Sequence, residues 1–316
     1  MVKTSRVVWW VAMACLAGNA HAQLKAQQSA RTSVPAQASV QFEQGSTLRA
    51  LEDWHVLPPR QRVEPENRLL RERLEQLLPR LMAETDLDMW LVLNREYAED
   101  PAYFTLVPQP TFAARRTTML VFHRKADGTV ERLAVNRYPL GGPYESAWAG
   151  GDLEAQWKAL GQLIADKNPR RIGINVSRHW PVADGLTHAL HTRLLEVLPA
   201  GFESRLVPAE SLVVRWLETR TAGELAIYPH IVSLARAVIA EAFSERVITP
   251  GVTTTQDVAW YIRERFESQG LPIWFFPDVN LQRAGLNCER DGPFCGESGV
   301  IQRGDVLHTD VGICYL

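Results

Sequence analysis

The chain has 316 residues, 46% of them hydrophobic, and a formal net charge of −2 with acidic and basic residues mixed along its length. That length and apolar content suit a globular protein of two domains and exclude a disordered chain. The mixed, near-neutral charge provides no electrostatic footprint for nucleic acid or anionic lipid.

At the start, Met1-Val-Lys-Thr-Ser-Arg6 precedes an apolar run from Val7 to Gly18, and Ala20-His21-Ala22 follows before Gln23. A short basic segment, an apolar core and small residues at alternate positions before a cut are the marks of a secretory signal peptide. The run is shorter than the roughly 20 residues a bilayer-spanning helix needs. Residues 1–22, Cys15 included, are therefore read as a signal peptide. The mature protein is expected to be exported, periplasmic or secreted, with no membrane contact after cleavage. Residues 23–64 are rich in Gln, Ala and Ser, lack periodicity and contain Pro58-Pro59, which reads as an extended arm or linker.

From Glu66, Leu69, Leu70, Leu74, Leu77, Leu78 and Leu81 recur at helical spacing, with Pro79 expected to bend or shorten the helix. Met89-Trp-Leu-Val-Leu93 suits a buried strand. Thr117 to His123 and Val130 to Asn136 flank Lys125-Ala-Asp-Gly128, a hairpin signal with glycine at the turn. A helix with Leu153, Trp157, Leu160 and Ile164, a strand at Arg171-Ile-Gly-Ile-Asn-Val176 and a helix with Leu186, Leu190, Leu194 and Leu195 follow. Strands alternating with helices predict a layered α/β domain over residues 65–218. Its polar residues form no catalytic motif.

A second unit is expected over 219–316. Glu224 to about Arg246 reads as one long helix, with Leu225, Ile231, Leu234, Val238, Ile239 and Phe243 on its buried stripe and a kink at Pro229. Ile248-Thr-Pro-Gly-Val252 breaks it. Thr253 to Gln256 suggests a capping box for a second helix carrying Val258, Ile262 and Phe266, which Gly270 terminates. The aromatic run Trp274-Phe275-Phe276 reads either as core or as the wall of an apolar pocket. Three cysteines lie beyond the signal peptide. Cys288 and Cys295 are candidates for a small disulfide loop worth roughly 2 to 3 kcal/mol in an oxidising compartment, two free thiols being the other reading. Cys314 reads as a small core residue, and the cysteine and histidine spacing matches no zinc template.

The final stretch, Val300-Ile-Gln-Arg-Gly-Asp-Val-Leu-His-Thr-Asp-Val-Gly-Ile-Cys-Tyr-Leu316, is the most informative. A Gly304-Asp305 turn feeds an apolar strand on which His308 and Asp310 fall on the same side, because strand side chains alternate. Asp310 is expected as a carboxylate presented from a buried strand, where it needs a cation, a metal or several donors beside it. His308 is read as a satisfied core histidine, and Asp305 as a turn residue making a local hydrogen bond.

Three pieces in order, the helix opened by Glu224, the Val247-Ile-Thr-Pro-Gly251 break before a second helix, and the turn and strand from Ile301 to Gly312, resemble the pita-bread metallopeptidases. The preceding α/β domain, joined through Leu212-Val-Val-Arg-Trp-Leu217, is similar to the amino-terminal domain of the aminopeptidase P, prolidase and creatinase branch. The fold class the resemblance implies is α/β, a creatinase-like N-terminal α/β domain followed by the first part of a pita-bread α+β domain. It implies a metal-dependent aminopeptidase of the Xaa-Pro type acting on a peptide substrate, with a homo-oligomer allowed. Only Asp310 matches a ligand position, the first ligand of a two-metal centre. The remaining ligands of the family would lie beyond Leu316, so this chain is expected to be an inactive fragment, loosely folded in its C-terminal third. No catalytic residue is assigned, and the family's histidine before the Gly-Asp turn has no counterpart between Asn280 and Gly304, where Asn287 and Arg290 are the polar alternatives. The implied cofactor is a pair of divalent ions, Mn by resemblance to the branch, with Co, Fe or Zn also suited to carboxylate and imidazole donors. Such a pair lowers the pKa of a bound water and polarises the scissile carbonyl. Creatinase-like hydrolysis without metal and a peptide-binding module without catalysis are the competing readings.

Overall fold

The computed structural model describes residues 56–285 and 299–316. The signal peptide, the arm up to residue 55, Asn287, Arg290 and the Cys288 and Cys295 pairing lie outside the described residues.

The strands β1 (Met89–Arg95), β2 (Thr117–Arg124), β3 (Val130–Asn136), β4 (Glu145–Ser146), β5 (Ile172–Ile174) and β6 (Leu206–Pro208) form one mixed sheet in the order β4-β3-β2-β1-β5-β6. The pairs β1·β2 and β2·β3 are antiparallel, while β1·β5, β5·β6 and β3·β4 are parallel. Central β1 is buried from Met89 to Asn94 because both of its faces are covered. Alternation along the strands sends Trp90, Val92, Leu120 and Phe122 to one face. There α1 (Pro59–Glu72), a π-helical turn at Arg73–Leu77, α2 (Leu78–Glu84) and α5 (Glu210–Glu218) pack against them. Met89, Leu91, Leu93, Met119 and Val121 point the other way, onto α3 (Leu153–Lys167) and α4 (His188–Val197). The result is a three-layer α/β/α unit.

The expected hairpin is present, with Gly128 at φ +84° closing the turn by donating its N–H to the Lys125 carbonyl at 3.0 Å. The first helix begins earlier than expected, at Pro59, so residues 59–64 of the expected arm are helical. Proline is well placed at a helix start, where its missing N–H has no partner to lose. Pro79 does not end the helical run. It stands in the first turn of α2 directly after the π-helical turn, which absorbs the missing donor and lets the leucine stripe continue. Leu153 and Leu195 are 53% and 39% exposed and do not share the buried stripes of Trp157, Leu160, Ile164, Leu190 and Leu194.

At the end of β1 and β5 a buried polar network replaces apolar contacts. Trp90 Nε1 donates to Asn175 Oδ1 at 2.7 Å, and Asn175 Nδ2 donates to Asp100 Oδ2 at 2.9 Å. The Ala102 N–H donates to Asp100 Oδ1, and the Asp100 N–H donates to Asn94 Oδ1, both at 2.9 Å.

The long helix expected from Glu224 is two helices, α6 (Ala222–Leu225) and α7 (Tyr228–Ala242), and the helical path turns by 97° between Glu210–Leu225 and Tyr228–Ala242. Pro229 lies in the first turn of α7 and so starts a helix instead of kinking one. Thr221 and Glu224 form a capping box that opens α6, with the Glu224 carboxylate accepting from the Thr221 N–H at 2.7 Å. The capping box of α8 (Thr255–Ser268) is made by Thr254 and Asp257, one residue later than expected. Val258, Ile262 and Phe266 are buried as read, and Gly270 at φ +71° carries the chain out of α8. Among the described residues no single helix is long and apolar enough to cross a membrane.

Candidate metal-ligand hairpin

Two strands carry the candidate site. β7 (Asp278–Gln282) and β8 (Val306–Asp310) pair antiparallel, with Asp278 opposite Asp310, Asn280 opposite His308 and Gln282 opposite Val306. The intervening Val279 and Leu307 turn inward onto an apolar cluster with Leu234 and Val238 of α7 and Val258, Ile262 and Phe266 of α8. Period-two alternation then sends Asp278, Asn280, His308 and Asp310 to the opposite face.

That face is open. Val306, His308 and Asp310 are exposed while Leu307 and Thr309 are half-buried. Asp310 is therefore not presented from a buried strand. The helices take the other side of the hairpin, and no described element covers this one. His308 shares the face of Asp310, as the alternation predicts, but it is exposed and is not a core histidine. Like charges directly opposite each other on antiparallel strands repel. Asn280 Nδ2 donates to Asp278 Oδ2 at 2.8 Å, and neither Asp278 nor Asp310 has an ion-pair partner among the described residues.

Asp305 does more than shape a turn. Arg283 Nε and Nη2 donate to its two carboxylate oxygens, each at 2.6 Å, and the Gln302 N–H donates to Oδ2 at 2.7 Å. The Arg283 guanidinium holds the Asp305 carboxyl below the usual carboxylate range, and Asp305 raises Arg283 in return. Arg283 also donates to the Val300 carbonyl at 2.9 Å, so one side chain ties the end of β7 to both flanks of the Gly304 turn. A lone arginine after a strand gave no sequence signal for this role.

Beyond Asp310, Gly312 fixes the approach of the aromatic run. The Trp274 N–H donates to the Gly312 carbonyl at 2.8 Å, and Ile273 bridges Ile313. Between that bridge and the Asp278 and Asp310 pair, Trp274-Phe275-Phe276-Pro277 stands opposite Val311-Gly312, a bulge that re-aims the side chains next to Asp310. A Cβ on Gly312 would lie 2.8 Å from Phe275 Cε1 and 3.1 Å from Trp274 Cε3, so the Asp-x-Gly pattern has a packing cause here. Phe276 is 39% exposed and packs edge-on to Trp260 with ring centroids 4.9 Å apart, outside the core. Cys314 is half-buried, and burial pushes its thiol up to about 11.

As a donor set the hairpin supplies two facing carboxylates with an amide and an imidazole on neighbouring positions. No group of three His, Cys, Asp or Glu side chains able to hold a metal forms among the described residues. Among the described residues the set is incomplete for a two-metal centre.

In shape this chain is similar to two solved dipeptidases. One is the Xaa-Pro dipeptidase from Bacillus anthracis, at 17% identity and a TM-score of 0.49, with 80% of this chain and 61% of that chain covered. The other is a dipeptidase from Pyrococcus horikoshii OT3, at 16% identity and a TM-score of 0.46, covering 77% of this chain and 62% of that one. The chain thus spans about three-fifths of the length of these structures. No protein-family model matches the sequence. No curated protein matches it either.

Proposed function

We propose that this chain is part of a metal-dependent aminopeptidase of the Xaa-Pro type, an exported hydrolase that cleaves an amino-terminal peptide bond next to proline. Asp310 is assigned as a ligand of a two-metal centre, with Mn the favoured ion. The observation that supports this most directly is the register of the hairpin. It sets Asp310 across from Asp278 on the sheet face that the helices leave open, and no described cation neutralises the pair. A divalent ion between them would relieve the repulsion and leave coordination positions for water and peptide. Completing the centre needs donors in addition to those the described residues supply.

The test is release of the first residue from an Xaa-Pro peptide by the protein at its full encoded length, with and without Mn²⁺, in wild type and Asp310→Ala. Activity that requires the metal and drops by at least about a hundredfold in the variant agrees with the assignment. Asp310 is exposed, so the substitution should leave folding intact. Full activity in the variant would remove Asp310 from the centre, and metal-independent hydrolysis would favour the creatinase-like alternative.

A further inference from the structure

A cavity of about 240 Å³ opens where the two units meet. Leu69 and Leu70 of α1, with Phe104 and Phe112 of the connection between β1 and β2, line it from the α/β unit, and Pro272 and Tyr315 line it from the second unit. Phe112 is 66% exposed although it lines the cavity, which leaves aromatic surface for a further contact.

The chain reaches this cavity just before α1 begins. Leu57 donates its N–H to the Tyr315 hydroxyl at 3.2 Å, and its carbonyl accepts from Arg62 Nε at 2.6 Å. The Arg62 guanidinium in turn lies 4.9 Å from the Tyr315 ring centroid. Val56 packs against the apolar cluster of α7 and α8. The chain at Val56 and Leu57 therefore runs along the second unit, although α1, which starts at Pro59, belongs to the other. Residues 23–55 of the arm precede this point and lie outside the described residues. Trp54 is the large apolar side chain nearest to it in sequence, with His55 alone between Trp54 and Val56. Extended chain from Leu57 back to Trp54 spans about 10 Å, so the indole can reach the cavity whose Tyr315 wall Leu57 already touches. A packed tryptophan buries roughly 150 to 250 Å² and favours offset or edge-on contact with other rings, which Phe104, Phe112 and Tyr315 offer.

We propose that Trp54 inserts into this cavity, so that residues 54–57 form a strap joining the α/β unit to the second unit. The strap holds α1 against the segment that follows Asp310 and does not depend on the peptidase reading.

Cys314 lines the same cavity and reports on it. Alkylation of Cys314 by iodoacetamide at pH 8 is followed in the full chain by mass spectrometry, with its peptide resolved from those of the other cysteines. Labelling should be slow in wild type and should accelerate by about tenfold or more in Trp54→Ala, the effect of removing a cover from a locally closed site. Trp54→Phe should restore most of the protection. Hydrogen exchange should show residues 104–112 losing protection in Trp54→Ala while β1 and β2 keep theirs, which separates release of the strap from general unfolding. Equal Cys314 labelling in wild type and Trp54→Ala would overturn the proposal. So would loss of protection spread evenly over the chain, or Cys314 protection that rises with protein concentration, which would assign the cavity to a second copy.

Discussion

Asp100 sets burial against charge more directly than any other carboxylate of the α/β unit. It is 1% exposed, and burial pushes its carboxyl up to about 6, offset in part by the hydrogen bonds from Ala102 and Asn175, with the nearby Asp184 charge adding to the rise. In the unfolded chain the group returns to 3.8. The folded state therefore holds the proton more tightly, so its stabilising contribution is complete below about pH 4 and is lost as pH rises through about 6. A difference of about two units corresponds to about 3 kcal/mol over that window. Urea unfolding between pH 4 and pH 7 should show the α/β unit weakening as pH rises, with the slope flattened in Asp100→Asn. Near pH 4 the variant should be less stable by about 1 to 3 kcal/mol, because its amide sets a donor against Asn175 Nδ2, and this gap should close as pH rises toward 7. An unchanged slope would show that Asp100 does not titrate in this window. The sequence contains Asp100 in a polar stretch before Pro101 and gives no sign of its burial, which arises only when β5 delivers Asn175 beside it.

The hairpin of β7 and β8 shows how one small residue sets an element. Gly312 lets the aromatic bulge close onto the strand that carries Asp310, and Gly312→Ala would force Phe275 or the strand to move. We expect a loss of about 1 to 3 kcal/mol, the usual cost of overpacking, with a shift in the near-ultraviolet signal of Trp274. A variant with unchanged stability and spectrum would mean that the bulge yields freely. The order of β1, β2, β3 and the helices was legible because a hydrophobic period of two or 3.6 survives in each segment. The face of Asp310 was legible too, but its burial was not. Leu307 and Val311 suggest an apolar strand, yet only one side of a two-stranded sheet is covered, and alternation puts Asp310 on the other. Short β6, half-buried and paired parallel to β5, was hidden for another reason, since three residues hold too little periodicity to read. The break between α6 and α7 was hidden because Pro229 reads equally as a kink or a start. In the fold Pro229 takes the first turn of α7, where its missing N–H needs no partner, and α6 has ended at Leu225.

At the scale of the whole molecule the two units meet through buried charge. Arg73, in the π-helical turn, donates to the Glu224 carboxylate at 2.9 and 3.0 Å and to the carbonyls of Thr219 and Trp216, and its guanidinium lies 4.3 Å from the Trp216 ring centroid. Burial lowers Arg73 to about 10 while the Glu224 charge opposes the change, so the group stays ionised near neutral pH. A second brace is Arg62, which donates to the Leu57 carbonyl at 2.6 Å and to the Gly270 carbonyl at 2.8 Å, linking α1 to the end of α8. Removing one member of a buried pair leaves the other charged and desolvated, which costs about 3 to 5 kcal/mol. Glu224→Gln isolates that effect, because glutamine also serves in a capping box and α6 is retained. Its unfolding midpoint in urea should fall accordingly, and the linker around Thr219 should become accessible to protease. Arg73→Met together with Glu224→Gln should recover part of the loss, since the stranded charge is gone, but not all of it, since the carbonyls of Thr219 and Trp216 lose their donor. If the single and double variants were equally destabilised, the pair would contribute through packing alone, and the junction between the units would not depend on its charge.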